Sequence, residues 1–330
     1  MFAGAKPARR PGLVAALCAA VFSLAPSSAP AQQAEVPAQI RLIVPFAPGA
    51  SNDLFARALA TRLAQRLSNA IAVENRPGAG GVIGAEQVMR SAPDGANLLF
   101  SSSAITSNAA VQAKLPYDPL TDVAPVALVA TSGLVMVVPV GSPHQSFEQL
   151  LKAIRASKGQ MTYASSGVGS INHVSTELMH AMAGTAGVHV PYKGISQVMV
   201  DIVAGRVDYL LTTVASSRAQ VDTGKLRPLA VSSPGRSPFN PDLPPIADSV
   251  PGYSVEIWWG VFAPARTPAP LLARLNAEIR AVTAESEMQA LFAKEAAVAG
   301  TFDVPSFVRK YRDEIEVWRK VVRERQINRD

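Results

Sequence analysis

IRLIVPFAPGASND, residues 40–53, predicts a buried strand, a tight loop of proline and glycine, and the first turn of a helix. Apolar residues then recur at the four-residue spacing of an amphipathic helix, at Phe55, Leu59, Leu63 and Leu67. Ser51 or Asn52 is the expected N-cap of that helix. Because the first N–H groups of a helix have no partner within it, such a loop favours a bound anion. The stretch therefore predicts a site for a carboxylate or a phosphate.

A second stretch of the chain has the same organisation. Residues 160–164 predict a strand, the loop SSGVGS follows at 165–170, and an apolar helical stripe includes Val174. Glycine lets the backbone approach a ligand closely, and serine supplies hydroxyl donors. Two such loops facing each other would hold a small molecule with two acidic groups. Ordinary turns between strand and helix have the same composition, so the pattern alone leaves both interpretations open.

Short β-type runs alternate with helical stripes, which predicts an α/β fold with parallel-type sheets flanked by helices. The predicted strands lie at residues 40–44, 71–73, 97–100, 124–129, 134–138, 161–163, 188–190, 209–212 and 229–231. The predicted helices lie at residues 54–67, 147–156, 174–183 and 198–204, and two apolar stripes near the C-terminus predict more. Of the adjacent Trp258 and Trp259, one should face the core and the other the cleft or the surface, because strand side chains alternate.

The N-terminus predicts a cleaved signal peptide at residues 1–31. A basic segment precedes the apolar residues 13–25, and Ala-Pro-Ala at 29–31 fits a cleavage site. We therefore expect export to the periplasm and a mature chain that begins near Gln32. The only cysteine, Cys18, lies in the apolar segment, so the mature protein would have neither a disulfide nor a thiol nucleophile.

Length and charge narrow the class of protein. The 330 residues would leave about 300 in the mature chain, more than one typical core, so we expect two lobes. The formal net charge is +6, and the three cations of the predicted signal peptide account for half of it. The remaining charge is too small and too scattered to predict a nucleic-acid partner. The apolar run 126–140 is interrupted by Thr-Ser-Gly and by proline, and we interpret it as two buried strands.

Motifs for catalysis or cofactor binding are incomplete. The glycine-rich residues 78–84 differ in spacing from a dinucleotide fingerprint, and no serine lies in a nucleophile elbow. His173, Glu177 and His180 recur on one helical face without the spacing of a zinc motif. We therefore predict no catalytic residue, no metal and no cofactor.

Two charged residues could lie near the ligand. Lys193 follows a predicted strand and precedes a helix, so it either attracts an anion at the cleft mouth or is a solvated loop lysine. Asp208 ends a turn between helix and strand, where it could also accept from a ligand ammonium group.

The ordered set of motifs resembles a known family, the periplasmic solute receptors of tripartite tricarboxylate transporters, also called Bug receptors. The matching stretches include IVPFAPG (43–49), VENRPGAGG (73–81), PDG (93–95), LPYD (115–118), YASSG (163–167) and HVPYKG (189–194). The resemblance implies a two-lobed, flytrap-like periplasmic binding protein of type II, with two crossing strands and the ligand in the cleft. It places one lobe at residues 32–133 and 252–330, and the other at 134–251.

In this family two loops hold the carboxylates of the ligand. They correspond here to residues 46–53, the first loop, and residues 164–170, the second loop. The expected ligand-binding residues are Phe46, Ala47, Gly49, Ala50, Ser51, Asn52, Asp53, Ala164, Ser165, Ser166, Gly167, Gly169, Ser170, His173, Tyr192, Lys193 and Asp208. The family commonly has Gly-Gly-Ser-Thr-Asp in the first loop, so Ala50 and Asn52 depart from it and leave the identity of the ligand open.

The expected function is to capture a small mono-, di- or tricarboxylate and to deliver it to the integral-membrane subunits of a tripartite tricarboxylate-type transporter. We expect a monomer. Two other functions remain as alternatives. The protein could be a receptor that senses a ligand for a membrane signalling protein, or it could be a secreted hydrolase.

Overall fold

The computed structural model describes residues 1–5, 35–49, 51–112 and 114–327. Most of the predicted signal peptide, including its cleavage site, lies outside the described residues, and so does Ala50. Ala34–Asp330 form one compact unit, which contains every element named below. Within the described part of the chain, no helix combines the length and the apolar composition needed to cross a membrane.

Ten strands and ten α-helices make up the described part of this unit. The strands are β1 (Gln39–Val44), β2 (Ala70–Asn75), β3 (Asn97–Ser102), β4 (Val123–Pro139), β5 (Thr162–Ser165), β6 (Val188–Pro191), β7 (Leu210–Thr213), β8 (Leu226–Val231), β9 (Glu256–Pro264) and β10 (Val298–Ala299). The helices are α1 (Ser51–Leu67), α2 (Val82–Met89), α3 (Ala104–Val111), α4 (Phe147–Ala156), α5 (Ile171–Ala183), α6 (Ile195–Val203), α7 (Val214–Asp222), α8 (Ala269–Thr283), α9 (Ser286–Lys294) and α10 (Val304–Glu324).

The α/β class is confirmed, and the main sheet is mixed. Its strands follow the order β10-β4-β9-β3-β1-β2, with β7 and β8 paired to another part of β4. β1 is parallel to β2 and β3, and β5 is parallel to β6 in a small second sheet, as the alternation of strands and helices predicts. β4 and β9 are antiparallel to each other and to their other neighbours.

The prediction of two strands within residues 126–140 is wrong, because β4 is one continuous strand of 17 residues. The small polar residues in its middle keep their ladder partners: Ser132 pairs with Ile257 and Gly133 with Glu256. From Leu134 onward β4 pairs with β7 and β8 instead. Backbone pairing does not depend on side-chain polarity, so a Thr-Ser-Gly segment can continue a strand whose neighbour β9 supplies the ladder partners.

β4 therefore pairs with two groups of strands, which are here called the first and the second lobe. The first lobe, built around residues 123–133 of β4, holds β1–β3, β9 and β10. The second lobe, built around residues 134–139 of β4, holds β5–β8. Helix α10 also contributes to both lobes: Phe307 and Tyr311 belong to a core of the first lobe, and Trp318 and Val321 to a core of the second.

Helices cover both faces of the first-lobe sheet. Trp259 packs against Phe55 of α1 on one face, with ring centroids 4.9 Å apart, and Trp258 packs against Phe307 of α10 on the other, at 5.5 Å. The side chains alternate as predicted. Placing one of the tryptophans at the cleft or the surface is wrong, because both are buried under helices.

Candidate functional site

The candidate site is a cleft of about 510 Å³ that both lobes line, here called the central cleft. The first lobe contributes Phe46, Gly80, Ser102, Ser103, Ala104, Ser107, Asn108 and Ile257. The second lobe contributes the continuous segment 166–171 together with Tyr192 and Lys193. Among the described lining residues, Lys193 has the only charged side chain. The cleft thus combines hydroxyl and amide groups with a single cation.

The second loop places the N-terminus of α5 in the central cleft. Gly169 has φ +77°, a conformation that favours glycine, and its N–H donates to Nδ1 of His173 at 3.1 Å. The Ser170 hydroxyl donates to the carbonyl of Gly167 at 2.7 Å. These bonds fix the loop so that α5 starts with Ile171 at the cleft wall. The first N–H groups of α5 have no helical partner and are the natural donors to an anion.

Behind the second loop lies a buried polar network. Ser165, at the end of β5, is 2.7 Å from Nε2 of His189, and the His173 and His189 rings stack with centroids 3.7 Å apart. His180 contacts the Tyr209 hydroxyl at 2.9 Å. Burial lowers the pKa of His173, His180 and His189 to about 4, and for His173 the neighbouring His189 adds to the effect. These histidines are therefore neutral at pH 7 and support the loop from behind.

The network ends in an ion pair. The Tyr163 hydroxyl and the Arg325 guanidinium both donate to the Glu177 carboxylate in very short contacts. Burial by itself would raise the pKa of Glu177, but the bonds from Tyr163 and Arg325 outweigh it and hold that pKa below the ordinary value. The His173 and Glu177 predicted on one helical face thus serve the packing of α5, and neither lines the central cleft.

Of the described residues of the first loop, Phe46 is the one that lines the central cleft. Ala47 and Gly49 are exposed, and Asn52 is half-buried with its Oδ1 enclosed and without a hydrogen-bond partner. The Ser51 hydroxyl donates to Glu295 at 2.7 Å. In the structure most of the described part of this loop therefore lies outside the cleft lining.

Asp53 holds the first loop in shape. Its buried carboxylate accepts the Gly49 N–H at 3.1 Å, the Asn75 amide at 2.9 Å and the Arg57 guanidinium at 2.9 Å. Burial would raise the pKa of Asp53, but the bonds from Arg57, Asn75 and Gly49 lower it below the ordinary value. Asp53 thus holds the loop backbone in place and does not line the central cleft in this structure.

Replacing Asp53 by asparagine is expected to lower the free energy of unfolding by about 1–2 kcal/mol at neutral pH, because charge-assisted hydrogen bonds are lost. Chemical denaturation measures the loss. Because the native pKa of Asp53 is lowered, the loss should shrink as the pH falls through that pKa, where the wild-type carboxyl is protonated as well. A variant as stable as the wild type at neutral pH would contradict this role.

Helix α3 is the part of the site that sequence reasoning missed. Ser103, Ala104, Ser107 and Asn108 line the central cleft, and the Asn108 amide donates to the Gly80 carbonyl at 2.8 Å. Residues 101–112, SSSAITSNAAVQ, lack an amphipathic stripe, because α3 is buried on most of its surface. The available signal was three serines that follow an apolar run, the same organisation as the second loop.

Of the remaining predicted residues, Tyr192 and Lys193 lie in the cleft lining and Asp208 does not. The Tyr192 hydroxyl donates to Asp201 at 2.7 Å. Asp208 accepts the N–H and the hydroxyl of Thr162, at 2.6 and 2.9 Å, and lines a separate depression of about 360 Å³. Asp208 therefore lies outside the lining of the central cleft, where the sequence analysis expected it. Ala164 and Ser165 are buried in and at the end of β5.

Two α/β lobes that share a long strand and together line a polar cleft define a solute-binding protein of the periplasmic type. The chain belongs to the family of tripartite tricarboxylate transporter receptors, because the sequence model of that family, "Tripartite tricarboxylate transporter family receptor", matches residues 55–327. The resemblance found in the sequence motifs is thereby confirmed.

Known relatives agree over nearly the whole chain. BugT of Bordetella pertussis is 34% identical over 302 residues, which cover 90% of this chain and 92% of BugT. Rpa4515 of R. palustris, solved with adipate, has a TM-score of 0.76 and 32% identity, with 88% of this chain and 98% of that chain covered. MatC of Rhodopseudomonas palustris, solved with bound malate, has a TM-score of 0.72 and 27% identity, with 86% and 98% covered.

Proposed function

We propose that the protein is a periplasmic receptor that captures a small carboxylate in the central cleft and delivers it to a membrane transporter of the tripartite tricarboxylate type. The observation that carries the proposal is that α5 begins in the cleft behind a loop of small residues. The positive end of the helix dipole and the unpaired N–H groups of its first turn favour an anion there. Lys193 adds a positive charge at the same cleft.

The relatives support a carboxylate as the ligand. Rpa4515 was solved with adipate and MatC with malate, and both share the fold of this chain over most of its length. In this role the chain performs no reaction: it is a monomeric binding protein, exported by a signal peptide at residues 1–31, and its partners are the ligand and the transporter subunits.

Lobe closure is the proposed mechanism of capture. We place the lobe boundaries at 133/134 and 251/252, and the first of these is the point where β4 exchanges β9 for β7 and β8. A ligand that touches the second loop and the first-lobe wall together binds the closed state more tightly than the open one. That difference in affinity is what shifts the population toward closure.

A panel of mono-, di- and tricarboxylates, tested by thermal shift and calorimetry, examines the proposal. At about 100 times its Kd, a ligand should add about 2.7 kcal/mol of stability and raise the Tm by a few degrees. Gly169→Ala should weaken binding by about ten-fold or more. An added Cβ would lie 2.6 Å from Cγ1 of Val111, and φ is +77° at this position.

Gly224→Ala is the matched control. Gly224 also has a left-handed backbone, with φ +66°, but its Cβ would meet nothing within 4 Å and it does not line the central cleft. Both variants should lose stability from backbone strain, while only Gly169→Ala should lose affinity. No shift with any carboxylate, or equal loss of affinity in the two variants, argues against carboxylate capture at the second loop.

A further inference from the structure

We propose that the N-terminus of α3, with the Ser103 hydroxyl, is a second anion subsite that makes the central cleft selective for dicarboxylates over monocarboxylates. This inference rests on the proposed function and deepens it, because it names the ligand class and a residue that selects it. The second loop holds one carboxylate in this scheme, and α3 holds the other.

The first reason to place a second anion subsite here is the Ser103 hydroxyl. Ser103 has 0% exposure, lines the central cleft, and its Oγ has no hydrogen-bond partner. A buried hydroxyl without a hydrogen-bond partner lowers the stability of the protein, so its presence indicates that a bound ligand supplies the partner. The Ser166 and Ser170 hydroxyls of the same cleft already donate to Asn172 and to Gly167. The Ser103 hydroxyl is therefore free to donate a hydrogen bond to a ligand.

The second reason for this subsite is the position of Ser103 at the start of α3. Ser103 is the N-cap of α3, yet its side chain accepts no hydrogen bond from the helix. Its carbonyl accepts the Thr106 N–H at 3.1 Å and the Ser107 N–H at 3.2 Å. Ala104 and Ile105 are the first two residues of α3 and lie too early for their N–H groups to reach a carbonyl within the helix, so these groups remain as donors. A hydroxyl and helix-terminal amides thus meet where the helix dipole is positive.

The distance between the two subsites determines how far apart the two carboxylates of a ligand must be. α3 runs along the central cleft: Ser107 and Asn108 line it further on, and Val111 at the far end abuts Gly169 of the second loop. Eight residues of helix span about 12 Å. The two anion positions are therefore on the order of 10 Å apart. Phe46, Val168 and Ile257 line the cleft with apolar surface, which suits the methylene chain of an open-chain dicarboxylate.

Calorimetry with matched acids tests the subsite. The protein, exported from the full-length gene and freed of bound solutes, is titrated with adipate and hexanoate, suberate and octanoate, and azelate and nonanoate. The wild type should bind at least one dicarboxylate about ten-fold more tightly than the monocarboxylate of equal length. Ser103→Ala should lower the affinity for that dicarboxylate about ten-fold and leave the monocarboxylate within about two-fold.

Stability without ligand separates this role from a structural one. Ser103→Ala removes an unsatisfied hydroxyl, so its Tm without ligand should equal or exceed that of the wild type. Thr267→Val is the control, because the Thr267 hydroxyl is also enclosed without a partner but does not line the central cleft. It should match the wild type in affinity for every acid.

The possible results separate a failure of the second subsite from a failure of the proposed function. Binding of dicarboxylates and monocarboxylates with equal affinity overturns the second subsite and leaves the carboxylate receptor in place. Equal loss of both ligand types in Ser103→Ala, or a lowered Tm without ligand, does the same. Failure of every acid to bind the wild type overturns the proposed function and this inference together.

Discussion

The free energy of unfolding is expected to fall steeply as the pH is lowered from 6.5 to about 4, by about 1.4 kcal/mol per pH unit for each of His173 and His180. Burial lowers the pKa of both to about 4 from the ordinary 6.5. Between these values the unfolded chain binds protons that the folded protein does not, so acid favours unfolding. Above pH 6.5 both states are neutral at these positions, and below about 4 both are charged.

The groups around these histidines act on their pKa values in both directions, and burial dominates. The ring of His173 stacks on His189, whose own pKa burial lowers to about 4, although His189 is only half-buried and should contribute less. The carboxylate of Glu177 favours protonation of all three, but burial outweighs it. The loop also opposes protonation of His173, because its Nδ1 accepts the Gly169 N–H.

Chemical denaturation across this pH range measures the slope directly. His173→Asn keeps an acceptor for the Gly169 N–H and cannot titrate, so the slope should fall by about 1.4 kcal/mol per pH unit. A wild-type stability that stays constant between pH 6.5 and about 4 would contradict the neutral, buried state of these histidines.

Replacing Arg325 by methionine is expected to cost about 2–3 kcal/mol of stability at neutral pH, because it leaves the buried Glu177 carboxylate without its cation. The Arg325 side chain is about a quarter exposed, at 24%, so the cost should be smaller than for a fully buried pair. Arg325 follows α10 and Glu177 lies on α5, so the pair also ties the helix that spans both lobes to the second lobe. Methionine keeps an apolar stem in place of the arginine.

The pH dependence of that cost identifies its origin. In the wild type the bonds from Tyr163 and Arg325 hold the pKa of Glu177 below the ordinary value, against burial. Without Arg325, burial raises that pKa, and the variant can relieve the unpaired charge by binding a proton. The difference from the wild type should therefore be largest at neutral pH and shrink as the pH falls.

Two further variants complete the test. Arg325→Lys keeps a cation and should recover part of the stability, though not the guanidinium geometry. Arg319→Met breaks the Arg319–Glu316 pair at 2.9 Å, whose glutamate is 63% exposed, and should cost less than about 1 kcal/mol. A cost for Arg325→Met as small as that for Arg319→Met, or one that does not change with pH, would refute the role of the buried pair.

Local patterns were enough to predict the α/β class, the position of many helices and strands, and the family. The second loop is an example: a strand, a run of serine and glycine and a helical stripe are contiguous in the chain, so nothing distant is needed to recognise them. The structure has β5, the loop and α5 in that order. The ordered set of motifs along the chain, which includes residues 43–49, 73–81 and 189–194, predicted the family, and the family model confirms it.

The arrangement of side chains around the cleft depended on contacts between distant residues. Asp53 and Asp208 look alike as carboxylates near predicted loops, yet one holds the Gly49 backbone and the other holds Thr162 in a separate depression. His173 precedes the ring of His189 by 16 positions and stacks on it only because β5 and β6 pair in parallel behind α5. Sequence periodicity has no information on such partners, because it records which face a residue lies on and not what packs against that face.

The sequence by itself determined the α/β class and the place of the second loop before a helix, because each rests on residues close together in the chain. It also determined the membership of a receptor family, through the ordered set of motifs along the chain. Tertiary structure alone decided that β4 continues through Thr131-Ser132-Gly133, that both tryptophans are covered, and that α3 brings Ser103 to the cleft. The physical reason is burial. Whether a buried polar group has a hydrogen-bond partner depends on residues from remote parts of the chain, and the local sequence pattern does not show those residues.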